Sequence, residues 1–302
     1  MSERRKGLGY GLAAYLLWGL FPLYWPLLEP AGPLEILANR IIWSLVVVAV
    51  ILAVTRNWGW LRGVLNDRHR MLLLTAAAVT ITVNWGTYIY GVNSEQIVQT
   101  SLGYFINPLV SILFGVVLLH ERLRSWQWVA VGLGTVAVLV LTVDYGHPPW
   151  IALVLAFSFG TYGLLKKTLD MGSVESLTVE TGLLFLPALG FLVFLQSRGE
   201  NTLSQEGPRH AALLVTTGLV TAIPLLFFGA AATRIPLTWI GLLQYLAPVM
   251  QFVIGVFVYD EPMPASRWLG FVLVWSALVL IALESLVAHR RSATEALSPV
   301  TE

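Results

Sequence analysis

Two ionisable side chains lie inside long apolar stretches of this chain, where a charge needs an explanation. Arg40 lies in a stretch of the first half, and Glu180 lies in a stretch of the second half. If the stretches cross a membrane, each charge costs about 3 kcal/mol or more and marks a ligand site or an ion pathway by default. Arg40 is then suited to attract an anionic or carbonyl group of a small-molecule substrate. Glu180 is a candidate for proton coupling, with protons as the coupling ion.

The alternative for Arg40 and Glu180 is snorkelling, in which a long side chain bends its charged end to the nearer membrane surface. Each residue lies a few positions inside its apolar stretch, about 7 Å from one surface at about 1.5 Å per residue. The two stretches run in opposite directions, so the two charges lie near opposite surfaces. We therefore expect no contact between them, and the sequence leaves both explanations open.

Polar side chains form a stripe in two further apolar stretches. Tyr104, Asn107 and Ser111 are spaced to lie on one helical face. Tyr104 and Gln244 are separated by the same number of residues as Arg40 and Glu180. The same separation relates Ser111 to Gln251. Side chains of this kind line a substrate cavity or hydrogen-bond one packed helix to another. Because the stripe recurs, we predict that it lines a cavity.

An amide and two aromatic rings come together in another stretch, at Asn84, Trp85 and Tyr88. Tyr88 follows Asn84 by one helical turn. Aromatic rings with a polar group suit an amphipathic organic ligand. Tryptophan and tyrosine also anchor helices at the membrane surface, so the sequence leaves a surface belt as the alternative.

Two prolines and two glutamates repeat at the same offset. Pro108 and Pro248 each remove a backbone donor inside an apolar stretch, which frees a carbonyl near a cavity. Glu121 and Glu261 close the same two stretches, and we predict that each caps or tethers the tight turn that follows. These four residues are therefore assigned structural roles.

The composition indicates what kind of element must hold these residues. Charged residues make up 12% of the 302, against about 25% in an ordinary soluble domain, while 57% are apolar. The net charge of +1 lacks the basic excess of a nucleic-acid-binding protein. The absence of cysteine excludes disulfides and thiolate metal sites. The sequence predicts an integral membrane protein, with the lipid bilayer as its partner and no nucleic acid.

Ten apolar runs have the roughly 20 residues that a helix needs to cross a bilayer core about 30 Å thick. Runs such as Ile41–Val54 are apolar at both even and odd positions, which favours helices over the strands of a membrane barrel. We therefore predict an all-α fold. The predicted spans are Leu8–Leu28, Ile36–Thr55, Met71–Gly91, Ser101–Leu119, Trp126–Val143, Trp150–Leu165, Leu177–Leu195, Ala211–Ala230, Trp239–Tyr259 and Arg267–Val287.

The loop charges predict the orientation of the chain. Most of the 18 basic residues fall on the side of the N-terminus, whereas Arg198 and Arg209 fall on the opposite side. Lysine and arginine gather in cytoplasmic loops. Both termini are therefore predicted to be cytoplasmic.

The two halves of the chain resemble each other. When the second half is aligned with the first so that Glu180 matches Arg40, five further pairs match: Pro108 with Pro248, Gly115 with Gly255, Glu121 with Glu261, Trp128 with Trp268 and Glu35 with Glu175. A shift one residue larger aligns Trp18-Gly19 with Phe159-Gly160. Five spans per half is an odd number, so the second half must be inverted. Inverted repeats surround a central site in many secondary transporters. We predict repeats over 1–145 and 146–290 and a short cytoplasmic tail over 291–302.

Several motifs identify a family resemblance. The first half contains GLGYGLAAYLLWGLFPLYW, EILANRIIWSL, NWGTYIYGVNS and QTSLGYFINPLVSILFGVVLLHERL, and the second half contains QYLAPVMQFVIGVFVYDEP. On these motifs the chain resembles the EamA branch of the drug/metabolite transporter superfamily, and within it the RarD-type permeases. The resemblance implies two EamA-type five-helix repeats in the cytoplasmic (inner) membrane and transport of small metabolites or drugs, usually outward. It also supports a functional Arg40, which lies in EILANR.

An intramembrane enzyme is the competing class. The chain has no HExxH motif, no cysteine nucleophile and no Walker motif, and its five histidines fall in or beside loops. A channel would need a ring of like charges or a filter-like loop, and neither is evident. We predict a non-enzymatic permease that exports small amphipathic metabolites or drugs by alternating access, without a cofactor or metal. Import of a metabolite stays open as an alternative, and so does the oligomeric state.

Overall fold

The computed structural model describes residues 3–119, 125–169 and 171–295, and every regular element in these ranges is helical. The all-α prediction is therefore confirmed for this part of the chain. The helices are α1 Glu3–Gly19, α2 Phe21–Tyr24, α3 Pro33–Thr55, α4 Leu61–Asn66, α5 Arg68–Asn93, α6 Ile97–Leu119, α7 Ser125–Tyr145, α8 Trp150–Leu169, α9 Ser173–Arg198, α10 Thr202–Gln205, α11 Gly207–Ala232, α12 Leu237–Leu243, α13 Leu246–Phe257 and α14 Ala265–Glu295, with a 3₁₀ turn at Trp25–Leu28.

Eight helical segments within the described ranges are long and apolar enough to cross a membrane. The number is nine if α1 and the segment Phe21–Leu28 form one span, bent by 45°. Pro22 lies just after this bend, where it cannot continue the hydrogen bonding of α1, and Pro26 lies in the 3₁₀ turn that follows. The predicted span Trp150–Leu165 is helical as α8 but is not among these segments, and its last turn contains two lysines. Eight or nine of the ten predicted spans are therefore helices long and apolar enough to cross a membrane.

Local chemistry sets several helix ends. Pro33 opens α3, where the missing donor of a proline costs no helical hydrogen bond. The Asp67 carboxylate caps α5 by accepting hydrogen bonds from the backbone N–H groups of His69 and Arg70, at 3.0 and 3.1 Å. Gly199 ends α9 in the left-handed conformation, with φ 68°.

The two repeat-related prolines lie in different surroundings. Pro108 lies inside the continuous helix α6, where it removes a mid-helix hydrogen bond. The corresponding stretch of the second half is broken between α12 and α13, and Pro248 lies in the first turn of α13. Backbone donors in the first turn have no partner within a helix. Pro248 therefore lies beside a break within its candidate span, whereas Pro108 lies in an unbroken helix, and the structural role assigned to both prolines stays a prediction.

The described residues form two compact units. The first comprises the chain up to Ser101 together with Thr161–Glu261, and the second comprises Leu102–Gly160 and the chain from Pro262. Each unit thus draws segments from both halves of the sequence.

In the first unit, α3 packs against α5, α9 and α11, and α1 packs against α11 and α13. Gly218 of α11 lies directly on the backbone of α3, because a Cβ at this position would lie 2.3 Å from the carbonyl oxygen of Trp43. Small residues allow this closeness between helices in a membrane. The packing holds α3, which carries Arg40, tightly against α11.

In the second unit, α7 packs along α14. Leu109, Ala130 and Ala277 form a buried cluster there. Arg267 Nε lies 2.9 Å from Asp144 Oδ2, and both side chains are largely buried. The sequence placed Arg267 at the mouth of a span but did not identify Asp144 as its partner.

Large apolar side chains are exposed along the helices. Val54, Val143 and Leu186 are 78, 83 and 73% exposed, respectively. A water-soluble protein rarely exposes extended apolar surface of this kind. The surface suits contact with lipid.

Candidate functional site

Arg40 is enclosed inside the first unit, with 4% of the residue exposed. Its Nε donates a hydrogen bond of 2.9 Å to Thr221 Oγ1 on α11. Its guanidinium carbon lies 4.0 Å from the ring centre of Trp85 on α5 and 5.1 Å from that of Trp25 in the 3₁₀ turn. A third ring, from Phe21 on α2, lies at 5.8 Å. Arg40 is therefore held between four elements rather than extended to the surface, so snorkelling does not describe it.

The rings around Arg40 also pack against one another. Phe21 meets Trp25 edge to face, with ring centres 5.3 Å apart, and lies 6.4 Å from Tyr88. A desolvated cation over an aromatic ring gains about 2 kcal/mol. These contacts offset part of the cost of burying the charge of Arg40.

The three predicted residues of α5 lie at or near this cluster. Trp85 contacts Arg40 directly, Tyr88 joins the cluster through Phe21, and Asn84 is buried one turn before Tyr88. Tyr88 is 3% exposed. Neither Trp85, which covers Arg40, nor the buried Tyr88 has the surroundings of a surface belt.

Glu180 lies in a second buried network of the first unit and is 1% exposed. The hydroxyl of Tyr162 donates to Oε2 at 3.0 Å, and Lys166 Nζ lies 3.3 Å from Oε1. Ser176 Oγ also donates to Oε1, from one turn earlier on α9. Lys166 lies 5.5 Å from the ring centre of Tyr162. Three donors, one of them cationic, therefore converge on this buried carboxylate.

The partners of the two buried charges come mostly from other helices and were not identified from the sequence. They are Phe21, Trp25 and Thr221 for Arg40, and Tyr162, Lys166 and Ser176 for Glu180. The sequence placed Lys166 in a loop, whereas the structure places it in the last turn of α8. The offset that aligns Trp18-Gly19 with Phe159-Gly160 also aligns Phe21 with Tyr162 and Trp25 with Lys166. The repeat alignment therefore pairs four of these six residues with one another, although it does not show that they contact the buried charges.

The two predicted glutamines lie in different positions. Gln251 is buried, and its Nε2 donates a hydrogen bond of 3.2 Å to the carbonyl of Trp18 in the last turn of α1. Its Oε1 is buried without a hydrogen-bond partner among the described residues. Gln244 is half-buried at the end of α12, beside the break before α13. Gln251 therefore satisfies a helix-end carbonyl and still presents a buried acceptor.

The stripe of α6 belongs to the second unit. Tyr104 and Asn107 are half-buried, whereas Ser111 is exposed. The ring of Tyr104 meets that of Phe159 edge to face at 5.8 Å. Asn107 Oδ1 is buried without a hydrogen-bond partner in the described part of the chain.

Glu261 contacts an element distant in the sequence. Its two carboxylate oxygens accept hydrogen bonds from the backbone N–H groups of Ile97 and Val98, the second at 3.0 Å. It thereby caps the start of α6, an element that the sequence did not link to Glu261. The equivalent Glu121 lies outside the described residues.

Comparison with known proteins matches the EamA-like transporter family over residues 5–143 and again over residues 149–283. Protein RarD of Streptomyces exfoliatus is 58% identical over 291 residues, which cover 96% of this chain and 92% of that protein. "Uncharacterized transporter YojE" of Bacillus subtilis and Protein RarD of Escherichia coli are 42% and 36% identical, each covering 96% of this chain and 98% of the relative.

A solved structure titled "Crystal structure of protein" has a similar fold. The superposition has a TM-score of 0.57 at 17% identity and covers 93% of this chain and 97% of that chain. At this identity the likeness concerns the fold alone.

Proposed function

The chain belongs to the EamA-like transporter family, and from this membership we propose that it is a secondary permease that exports small amphipathic metabolites or drugs across the cytoplasmic membrane by alternating access. The family and the apolar helices make it a multi-pass membrane transporter. The substrate class, the outward direction, the mechanism and transport without chemical change of the solute are the proposal.

We propose ten spans in two inverted repeats, over 1–145 and 146–290, with both termini and the tail 291–302 cytoplasmic and α8 as the sixth span. The double family match supports two repeats. A recurring contact supports their relation: a Cβ on Gly19 would meet Met250 in the first unit, and a Cβ on Gly160 would meet Val110 in the second. Gly19 aligns with Gly160, and Val110 aligns with Met250.

The observation that carries the proposal is the buried cation with aromatic walls at Arg40. A guanidinium attracts an anionic or carbonyl group, and the neighbouring rings suit the apolar part of the same solute. This combination matches an amphipathic small molecule. The proposed substrate-binding residues are Arg40, Asn84, Trp85, Tyr88, Tyr104, Asn107, Ser111, Gln244 and Gln251.

Glu180 is the proposed proton-coupling residue. Its carboxylate accepts hydrogen bonds from Lys166 and two hydroxyl groups. Adding a proton would remove the charge attraction to Lys166 and change the relative stability of two arrangements of α8 and α9. A proton then acts as a ligand that shifts a conformational equilibrium.

Profiling of the growth medium tests the proposal. Deletion cells and cells carrying the wild-type protein are compared with and without an uncoupler, and we expect solutes that accumulate outside only when the wild-type protein is present. Arg40→Ala and Glu180→Gln should lower this accumulation by about tenfold or more, because each removes a buried functional charge.

Arg62→Ala is the matched control, since Arg62 is exposed on the short helix α4. It should export like the wild type. Purified protein in liposomes should move the identified solute unchanged. A medium with no differential solute, or full transport by both the Arg40 and Glu180 variants, would contradict the proposal.

A further inference from the structure

The clusters around Arg40 and Glu180 stand at equivalent places in the two halves of the chain. Each of the two residues is the eighth of its helix, since α3 begins at Pro33 and α9 begins at Ser173. Both are almost fully buried in the first unit. The repeat therefore places one charge of each sign at one structural position.

The partners of the two charges are equivalent as well. Phe21 and Trp25 contact Arg40, and their aligned counterparts in the second half, Tyr162 and Lys166, contact Glu180. The alignment is the one that matches Trp18-Gly19 with Phe159-Gly160. Equivalent positions thus contact each other in both halves of the chain, but the chemistry differs. The first half has a cation among aromatic rings, and the second half has a carboxylate among hydrogen-bond donors.

Each cluster ties separate helices together through one buried charge. Arg40 connects α3 to α2, α5 and α11, and Glu180 connects α9 to α8. Removing one partner of a buried charge is strongly unfavourable. Such a contact is either formed or replaced by contacts with water. It therefore favours two discrete arrangements of the connected helices over a continuous range of positions.

We propose that the two clusters are latches that open alternately, one near each membrane face. The Arg40 latch comprises Arg40, Phe21, Trp25, Trp85 and Thr221, and the Glu180 latch comprises Glu180, Tyr162, Lys166 and Ser176. Both latches are formed in the structure, and each must open in its turn to admit or release solute. The inference rests on the proposed alternating access and adds positioning residues to it, chiefly Trp25, Thr221 and Lys166.

The absence of cysteine makes the alternation measurable without background. Ser44→Cys reports on the Arg40 latch, because Ser44 is fully buried one turn from Arg40 and its Oγ has no hydrogen-bond partner among the described residues. Thr181→Cys reports on the Glu180 latch, because Thr181 is buried next to Glu180. A membrane-impermeant maleimide is applied to right-side-out and inside-out vesicles that contain the full chain.

Lys166→Met opens the Glu180 latch in this design. We expect it to raise labelling of the Thr181 reporter from the cytoplasmic side about threefold or more and to lower labelling of the Ser44 reporter from the opposite side. Trp25→Leu should do the reverse. Thr221→Val removes the hydrogen bond to Arg40 with little change of shape, and it should act in the same direction as Trp25→Leu if the larger substitution prevents folding.

Lys167→Met is the matched control, because Lys167 neighbours Lys166 but is exposed. It should leave both reporters at the wild-type level. Equal effects of Lys166→Met and Lys167→Met would overturn the latch proposal. So would a rise at one reporter without a fall at the other.

Export is measured by medium profiling in the same strains, which separates the two proposals. Reciprocal labelling without export would support the latches and contradict the transport proposal. Export by the wild type without reciprocal labelling would contradict the latches alone.

Discussion

Three of the buried charges in the described part of the chain are held by different kinds of contact. Arg40 lies among aromatic rings, Glu180 accepts from hydroxyl groups and an ammonium group, and Asp144 pairs with Arg267. Each arrangement offsets a desolvation cost that no isolated charge could bear in an apolar interior. The loss of one partner should therefore cost more than the pair itself contributes.

The cap on α6 gives a direct test at this scale. Glu261→Gln keeps the shape of the side chain but removes the negative charge and one of the two acceptors at a helix start. We expect the free energy of unfolding to fall by about 1–2 kcal/mol. The thermal unfolding midpoint of the purified protein in detergent should fall accordingly, by about 2–4 °C for each kcal/mol.

Glu200→Gln is the control for this cap. Glu200 pairs with Arg198 in an exposed position, where an ion pair contributes little. An unfolding midpoint as low in this variant as in Glu261→Gln would show that the effect comes from lost charge in general and not from the cap.

The sequence could identify two of the buried charges, Arg40 and Glu180, but not most of their partners. Arg40 and Glu180 stand out because a charge in an apolar run is rare, and Trp85 stands out through its neighbours on α5. Trp25 and Thr221 do not, because the spacing within one helix says nothing about which other helix it meets. The partners become visible only when the packing of separate helices is known.

At the scale of elements, long apolar helices were predictable and short or broken ones were not. The start of α8 at Trp150 agrees with its predicted start, since apolar length and flanking polar residues mark such a boundary. The short helices α4 and α10 lie in predicted loops, because helices of six and four residues are too short to show a distinct periodicity. The break between α12 and α13 lies within a continuous apolar run, so hydropathy alone could not reveal it.

The contact between α3 and α11 leads to a prediction about an element. Gly218→Ala would place a Cβ 2.3 Å from the Trp43 carbonyl oxygen, against backbone that cannot rotate away. The helices must then separate, and we expect the free energy of unfolding to fall by about 1–3 kcal/mol. Thermal unfolding in detergent measures this loss.

Gly190→Ala serves as the matched comparison, because a Cβ at Gly190 on α9 meets nothing within 4 Å. Alanine favours a helix over glycine by about 0.5–1 kcal/mol, so this variant should be as stable as the wild type or slightly more stable. A Gly218→Ala protein that unfolds at the same temperature as Gly190→Ala would contradict the close contact.

At the scale of the whole molecule, the sequence repeats and the compact units divide the chain differently. The repeats follow the chain in order, with family matches over 5–143 and 149–283. Each compact unit instead combines a segment of the first half with one of the second. Sequence similarity detects segments of common pattern, whereas compactness depends on contacts between segments far apart in the chain.

The orientation of the chain is testable through two loop positions. Lys167→Cys should react with a membrane-impermeant maleimide only in inside-out vesicles, and Arg209→Cys only in right-side-out vesicles, because the charge distribution places them on opposite sides. Both residues are exposed. Labelling of both cysteines from the same side would contradict the predicted topology and, with it, the inverted arrangement of the repeats.

The direct backbone contact at Gly218 also has a consequence for observing the transport cycle. With no side chain between α3 and α11 at this point, the neighbouring amides around Trp43 and Ser44 can reach solvent only when the two helices separate or unfold locally. Their deuterium uptake should therefore stay slow while the Arg40 latch is formed and rise when it opens. Peptides from this region thus report on the Arg40 latch in exchange mass spectrometry without any substitution in the chain.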